Sequence, residues 1–259
     1  RDTLPWAAAE AAQRPAQAGE EQAARPSLAR LMGYMSWRDR SMFAACQAGT
    51  VNKFADALVI GMFPLWLINH HASVATVGLV TGAYTGIWGL LQIPSGQAAD
   101  RLGRKWLIAG GLAAEGLAVA WFVAGHGLAT WLAAAVVMGV ATAALYPNLI
   151  TAVGDVSHPA WRGGSLGVYR LWRDGGYAVG PLITAGVATA FGLAAGFWFV
   201  AALLVASGLA VALLMYETDP RRRRHPPAWE QRPELLAGKA RPASRHGGHM
   251  PGLRPGQEG

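Results

Sequence analysis

Lys53 and Asp56 stand three residues apart in a stretch that is otherwise apolar from about Met42 to Met215. On a helix that spacing puts both on one face, where opposite charges partly neutralise each other. Asn52 lies four residues before Asp56 and joins them. Farther along, Arg170, Arg173, Asp174 and Tyr177 form a second polar stripe, with Arg170 and Asp174 at ion-pair spacing. An ionisable side chain at bilayer depth costs at least roughly 2.5–3.5 kcal/mol, so each is a candidate for function. Such a group either belongs to a neutralised pair that locks helices together or lines a watery cavity. For Lys53 and Asp56 the two readings weigh equally; for Arg170, nearer a segment end, the structural role fits better. Asp56 and Asp174 are also candidates to carry a proton. Tyr84, Trp88 and Gln92 recur at i, i+4 and i+8, an aromatic and amide stripe that suits a cavity wall or plain packing. Tyr146 and Asn148 flank Pro147, where the missing N–H frees a carbonyl and bends a helix. For Glu115, in the third apolar segment, a helix-locking hydrogen bond fits better than proton transfer.

These side chains need long helices to hold them. The sequence predicts six apolar segments, near 41–68, 74–99, 104–125, 128–155, 161–190 and 194–216. Each reaches the roughly 20 residues needed to cross the hydrocarbon core. The turns at 69–73, 125–130 and 191–196 contain no Lys, Arg, Asp or Glu. The opposite turns carry Arg101, Arg104, Lys105 and Arg162, and the flanks add Arg38, Arg40 and Arg221 to Arg224. Cytoplasmic loops are enriched in Lys and Arg, so both ends are expected on the cytoplasmic side. Residues 1–40 read as a cytoplasmic linker, mostly disordered, with Leu28, Leu31, Met32 and Met35 marking a short amphipathic helix on the membrane surface. Residues 217–259 read as a disordered basic cytoplasmic tail.

Composition agrees with a membrane domain. Of the 259 residues, 53% are hydrophobic and 14% charged, too apolar for an average soluble domain. The net charge of +7 collects at the ends, where it fits anionic lipid better than nucleic acid. One cysteine, Cys46, rules out an intrachain disulfide and a thiolate metal cluster. Adjacent His70 and His71 make a poor metal site, and no cofactor is expected. The sequence has no G-x-S-x-G elbow and no P-loop lysine motif, so an enzyme is not expected and any solute movement would draw on a gradient.

The densest charge cluster inside the apolar run is Gly96-Gln97-Ala98-Ala99-Asp100-Arg101-Leu102-Gly103-Arg104-Lys105. It reads as a tight polar loop between two helices. Its pattern, G-x-x-x-D-R-x-G-R-K, resembles the loop signature of the major facilitator superfamily of secondary transporters. Asp155-x-x-x-Pro159-x-x-Arg162-Gly163 resembles that family's cytoplasmic turn between helices ten and eleven, with Asp155 and Arg162 as its structural residues. Gly176-x-x-x-Gly180-Pro181 resembles a Gly-Pro motif of family antiporters, although it falls in the repeat-equivalent helix. Arg1-Asp2-Thr3 resembles the sequence after helix six.

The resemblance implies an all-α integral membrane protein whose residues 37–219 form the C-terminal six helices of a twelve-helix transporter, the N-terminal six being absent. An internal echo accompanies it: Phe63-Pro64, Tyr84, Pro94 and Gly103 recur in order as Tyr146-Pro147, Tyr169, Pro181 and Gly192. Two sets of three helices run in opposite directions, which is the 3+3 inverted repeat of each family half. The implied function is secondary active transport of a small solute by alternating access, with proton coupling as a candidate drive. The implied location is the plasma (inner) membrane. By the same resemblance Asp100, with Arg101, Arg104 and Lys105, would latch one half against the other. The alternative is a receptor or assembly subunit on the same scaffold.

Overall fold

The computed structural model describes residues 26–224 and 226–231. Residues 1–25, which hold most of the expected linker and Arg1-Asp2-Thr3, lie outside the described residues, as do 232–259. Eight α-helices follow one another, and there is no strand among the described residues: α1 (Leu28–Gly33), α2 (Arg40–Asn69), α3 (Val74–Leu102), α4 (Arg104–Ala124), α5 (Leu128–Val156), α6 (Arg162–Phe191), α7 (Leu193–Leu214) and α8 (Ala228–Gln231). By length and composition five of them, α2 to α5 and α7, can cross a membrane. The sixth long helix, α6, has 30 residues but carries Arg162, Arg170, Arg173 and Asp174.

Helix boundaries follow local chemistry. Asp39 caps α2 by accepting from the backbone N–H of Ser41 at 2.8 Å and Met42 at 3.0 Å, and Ser73 caps α3 through Thr76 N–H at 3.1 Å. Each satisfies donors that a helix start leaves unpaired. The polar loop expected between Gly96 and Lys105 is shorter than its charge suggests. Helix continues to Leu102 and restarts at Arg104, leaving Gly103 alone outside it. Gly103 adopts φ +90°, ψ 150°, and Gly192, between α6 and α7, adopts nearly the same turn at φ +94°, ψ 156°. A β-carbon at Gly103 would also run into the Glu217 carboxylate, so conformation and space both require glycine.

The core lies along α2, α4, α5 and α7, with Phe63, Phe122 and Phe197 stacked at its centre at ring distances of 3.9 to 5.8 Å. The most extensive pairings are α4 with α7, α3 with α5, α4 with α5 and α2 with α6. Glycine allows the closest approach of α2 and α6. A methyl at Gly176 would collide with the Thr50 carbonyl and lie 3.0 Å from Lys53 Cβ, and one at Gly180 would press on the Phe54 ring at 3.2 Å. The Gly176/Gly180 face therefore positions α6 directly over the Lys53 stretch. By contrast α3 and α6 leave apolar side chains such as Leu90, Ile93, Leu171 and Leu182 exposed.

Both flanks pack against the α3–α4 and α5–α6 turns at one end of the bundle. The short helix expected around Leu28 does form, but it does not lie free on a surface. Leu31, Tyr34 and Met35 are buried, Leu31 beside Gly164, and the Trp172 indole donates to Ser36 Oγ at 3.0 Å. Tyr34 OH donates to Asp39 at 2.7 Å. Burial first, and then the Asp39 carboxylate, push the phenols of Tyr34 and Tyr216 above the usual range, so both stay protonated. Beyond Glu217, Trp229 donates to the Val156 carbonyl at 2.6 Å and meets Trp161 edge-on. Residues 217–224 and 226–231 thus follow a defined path across the turn ends.

Gly176→Ala should force α6 away from α2 and lower stability by about 1–3 kcal/mol, the usual range for overpacking. Thermal unfolding of the purified protein in detergent checks this, with Gly163→Ala, whose β-carbon would meet nothing within 4 Å, as the neutral control.

Candidate functional site

Five helices bring polar groups to one buried place. From α2, Lys53 Nζ donates to Asp56 Oδ2 at 2.5 Å, and the two residues are 3% and 4% exposed. The same oxygen accepts from Tyr177 OH of α6 at 3.0 Å, while Asp56 Oδ1 accepts from Tyr84 OH of α3 at 2.5 Å. Asp56 therefore has three donors, an arrangement that suits an ionised carboxylate. Lys53 also lies over the faces of Tyr146 and Tyr177 at 4.8 and 5.0 Å, where the ring quadrupoles attract its charge.

The network continues past Asp56. Tyr84 OH lies 3.3 Å from Thr142 Oγ1 of α5, and Thr142 lies 2.7 Å from Glu115 Oε1 of α4. Asn52 Nδ2 donates to both Glu115 oxygens at 3.3 and 3.2 Å, while its own Oδ1 is buried with no partner among the described residues. Glu115 is 0% exposed. No spacing rule links Glu115 to the charges of other segments; only the packing of α4 against α2 and α5 brings it into the Asp56 network. Thr142, a weakly polar residue in an apolar run, gives no sequence signal at all.

A second cluster borders the first. Arg173 Nε donates to Asp174 at 2.8 Å, and Arg173 Nη1 donates to Tyr146 OH at 3.0 Å. The ion pair expected from spacing, Arg170 with Asp174, is replaced by this neighbouring pair, and Arg170 is exposed. Asp174 is exposed and Arg173 half-buried, so this pair lies toward the surface while Lys53 and Asp56 are buried.

The aromatic stripe is in place: Tyr84 and Trp88 stack at 6.3 Å, and Trp88 meets Tyr146 edge-on at 5.7 Å. Gln92 contributes its backbone carbonyl to Ser95 and lies outside the network. Asn148 turns back on its own helix, donating to the Ala144 carbonyl at 2.7 Å beside the Pro147 bend.

At the other end of the bundle, the signature loop is tied to the segment that follows α7. Glu217 accepts from the backbone N–H of Arg104 at 3.0 Å and Lys105 at 3.4 Å, placing a carboxylate at the positive end of α4. Arg104 forms an ion pair with Asp155, Arg222 donates to the Arg101 carbonyl, and Lys105 stands over Trp106 at 5.0 Å. Asp155 therefore links two turns, whereas Arg162, expected to act with it, is exposed at the α6 start. Asp100 is exposed and makes no hydrogen bond or ion pair within the described residues, and no β-carbon contact would be met at Gly96.

A bundle of long apolar helices that encloses a buried polar network defines an integral membrane protein. The sequence profile of the Major Facilitator Superfamily matches residues 46–249, and the chain belongs to that family. Among solved structures, it is similar to a peptide transporter POT (E310Q mutant) in complex with alafosfalin, with a TM-score of 0.57, 16% identity and coverage of 78% of this chain and 41% of that one. It is also similar to the human organic anion transporter MFSD10 (TETRAN), with a TM-score of 0.55, 17% identity and coverage of 82% and 54%. The chain thus spans about half the length of these proteins or less. A search of curated proteins finds no match.

Removing one partner of a buried ion pair leaves the other charge uncompensated, which costs about 3–5 kcal/mol. Lys53→Met and Asp56→Asn should each lose stability on that scale, while the double variant Lys53→Met/Asp56→Asn should lose less than the sum of the two. Denaturant unfolding in micelles measures the non-additivity, and simple additivity would show that the two charges do not interact.

Proposed function

We propose that this chain is one six-helix half of a secondary active transporter that moves a small polar or charged solute by alternating access, with Lys53, Asp56, Arg173 and Asp174 on the solute's path. The observation that carries this reading is the network drawn from α2 to α6 around Lys53 and Asp56. Charges at that depth need a reason to be retained, and paired opposite charges can bind or orient a solute that carries either sign. The exposed edge of the site, formed by Asp174 and Tyr177, offers entry.

On this reading α2 to α7 all cross the bilayer as a 3+3 inverted repeat. Three features support the repeat. Pro64 and Pro147 lie inside α2 and α5, and Pro94 and Pro181 inside α3 and α6. Gly103 and Gly192 share one turn conformation. The pairing of α3 with α5 exchanges with that of α6 with α2 when the two sets of three are swapped. A second six-helix unit would cover the open faces of α3 and α6, a reading supported by the coverage of the solved transporters. Asp100, exposed and without a hydrogen bond or ion pair among the described residues, would meet that unit, so its loop would stabilise one state of the cycle without holding this fold. Proton coupling through Asp56 is the proposed drive, and the plasma membrane, with both ends cytoplasmic, the proposed location.

Orientation is tested by cysteine labelling in a Cys46→Ala background. A thiol reagent applied from outside should modify His126→Cys and leave Arg101→Cys and Arg224→Cys unmodified; the reverse pattern refutes the topology.

Transport is tested in proteoliposomes holding the protein with its second six-helix unit. Asp56→Asn should abolish gradient-driven accumulation and spare solute exchange. Accumulation at the wild-type level would exclude Asp56 as the coupling site.

A further inference from the structure

Hydrogen atoms can be counted along the line Asp56–Tyr84–Thr142–Glu115. It has three oxygen–oxygen contacts: 2.5 Å from Asp56 to Tyr84, 3.3 Å from Tyr84 to Thr142, and 2.7 Å from Thr142 to Glu115. Each hydroxyl owns one hydrogen. If both carboxylates are ionised, Tyr84 must donate to Asp56 and Thr142 to Glu115. The middle contact is then left without a hydrogen, with two lone pairs facing each other in a buried place. One added proton removes that conflict. Placed on Glu115, it is donated to Thr142, Thr142 donates to Tyr84, and Tyr84 donates to Asp56. Placed on Asp56, the same three bonds run in the opposite direction.

Charge decides between the two positions. Asp56 has Lys53 at 2.5 Å and a second donor in Tyr177, so its negative charge is compensated. Glu115 is wholly buried and hydrogen-bonds, among the described residues, only to the Asn52 amide and the Thr142 hydroxyl, neither of which carries charge. Around it, α2 presents Lys53 and Asp56, α3 presents Tyr84, α5 presents Tyr146, and α6 presents Arg173 and Tyr177; α7 has no ionisable residue between Leu193 and Leu214. Arg173 is held by Asp174 and Tyr146. Lys53 cancels Asp56 and Arg173 cancels Asp174, which leaves no cation for an ionised Glu115, and an uncompensated buried charge costs several kcal/mol.

We propose that Asp56 and Glu115 form a carboxyl pair that holds one proton between them across the hydroxyls of Tyr84 and Thr142, with Glu115 as the proton's resting place. The transfer is balanced. Glu115 gives its proton to Thr142 Oγ1, the Thr142 hydrogen passes to Tyr84 Oη, and the Tyr84 hydrogen passes to Asp56 Oδ1. Both hydroxyls end neutral, and negative charge has moved from Asp56 to Glu115. What would drive it is withdrawal of Lys53 from Asp56, as when the ammonium turns to an anionic group of a solute. Its part in coupling rests on the transport reading above, whereas the proton's resting place does not. Glu115 acts here through Thr142 and Tyr84 and is a positioning and storage residue, distant from the solute.

Infrared spectroscopy of the purified full chain in lipid nanodiscs tests the proposal. Samples are grown with carboxyl-labelled Glu or, separately, carboxyl-labelled Asp and measured near neutral pH. The wild type should show a protonated-acid C=O band that shifts with labelled Glu and not with labelled Asp, and Glu115→Gln should lose it. Lys53→Met should transfer the label sensitivity from Glu to Asp. Tyr84→Phe should shift the Glu115 band although that ring does not hydrogen-bond to Glu115, because Thr142 loses the oxygen that accepts its hydrogen. A wild-type spectrum without the Glu-sensitive band overturns the proposal, and that measurement needs no variant to fold. A Glu115 band unmoved by Tyr84→Phe overturns the shared line of hydroxyls. Transport without proton coupling would refute the coupling reading and leave this band in place, so the two failures are distinct.

Discussion

The Lys53–Asp56 pair is the constraint around which the bundle is arranged. Two charges removed from water are tolerated only with close geometry and further hydrogen bonds to occupy the remaining lone pairs. Asp56 receives those bonds from Tyr84 and Tyr177 on two other helices, and Lys53 receives the faces of Tyr146 and Tyr177. Satisfying one ion pair therefore requires α2, α3, α5 and α6 at fixed separations. Gly176 and Gly180 supply one of those separations by letting α6 close on α2 at the level of Lys53.

The same requirement explains why the polar site is suited to change. Its bonds come from side chains on separate helices, so moving one helix breaks a few bonds without unfolding any element. The stacked Phe63, Phe122 and Phe197 lie on α2, α4 and α7, away from the exposed edge of α6. A rigid aromatic core thus stands beside a polar cluster whose partners can exchange. At the opposite end Glu217, Arg104 and Asp155 tie the turns of α3–α4 and α5–α6 to the segment after α7, while Asp100 makes no hydrogen bond or ion pair among the described residues.

How much was legible beforehand depended on whether a property is local. Five helices long and apolar enough to cross a membrane follow from hydropathy, and their ends fall within a few residues of the expected segments. Family membership was legible in the charged signature ending at Lys105, because that pattern is written in consecutive residues. Lys53 with Asp56 was legible for the same reason, since three-residue spacing on a helix makes them neighbours wherever the helix goes. The same rule misled at Arg170 and Asp174, where a nearer guanidinium, Arg173, takes the carboxylate.

What the sequence determined by itself was the set of helices, their turns and the residues too costly to bury unpaired. Only the tertiary structure decided which of those residues meet. Glu115 and Thr142 lie 63 and 90 residues from Asn52 along the chain, with 27 between them, and no periodicity links them. Their contact depends on the rotation of α4 and α5 about their own axes, which the packing of whole helix faces sets. Asn148 shows the converse, since position on α5 made it a cavity candidate, yet the Pro147 bend and the Ala144 carbonyl claim its amide. Local spacing fixes which face a residue occupies; the neighbours that face acquires are set by all the other helices at once.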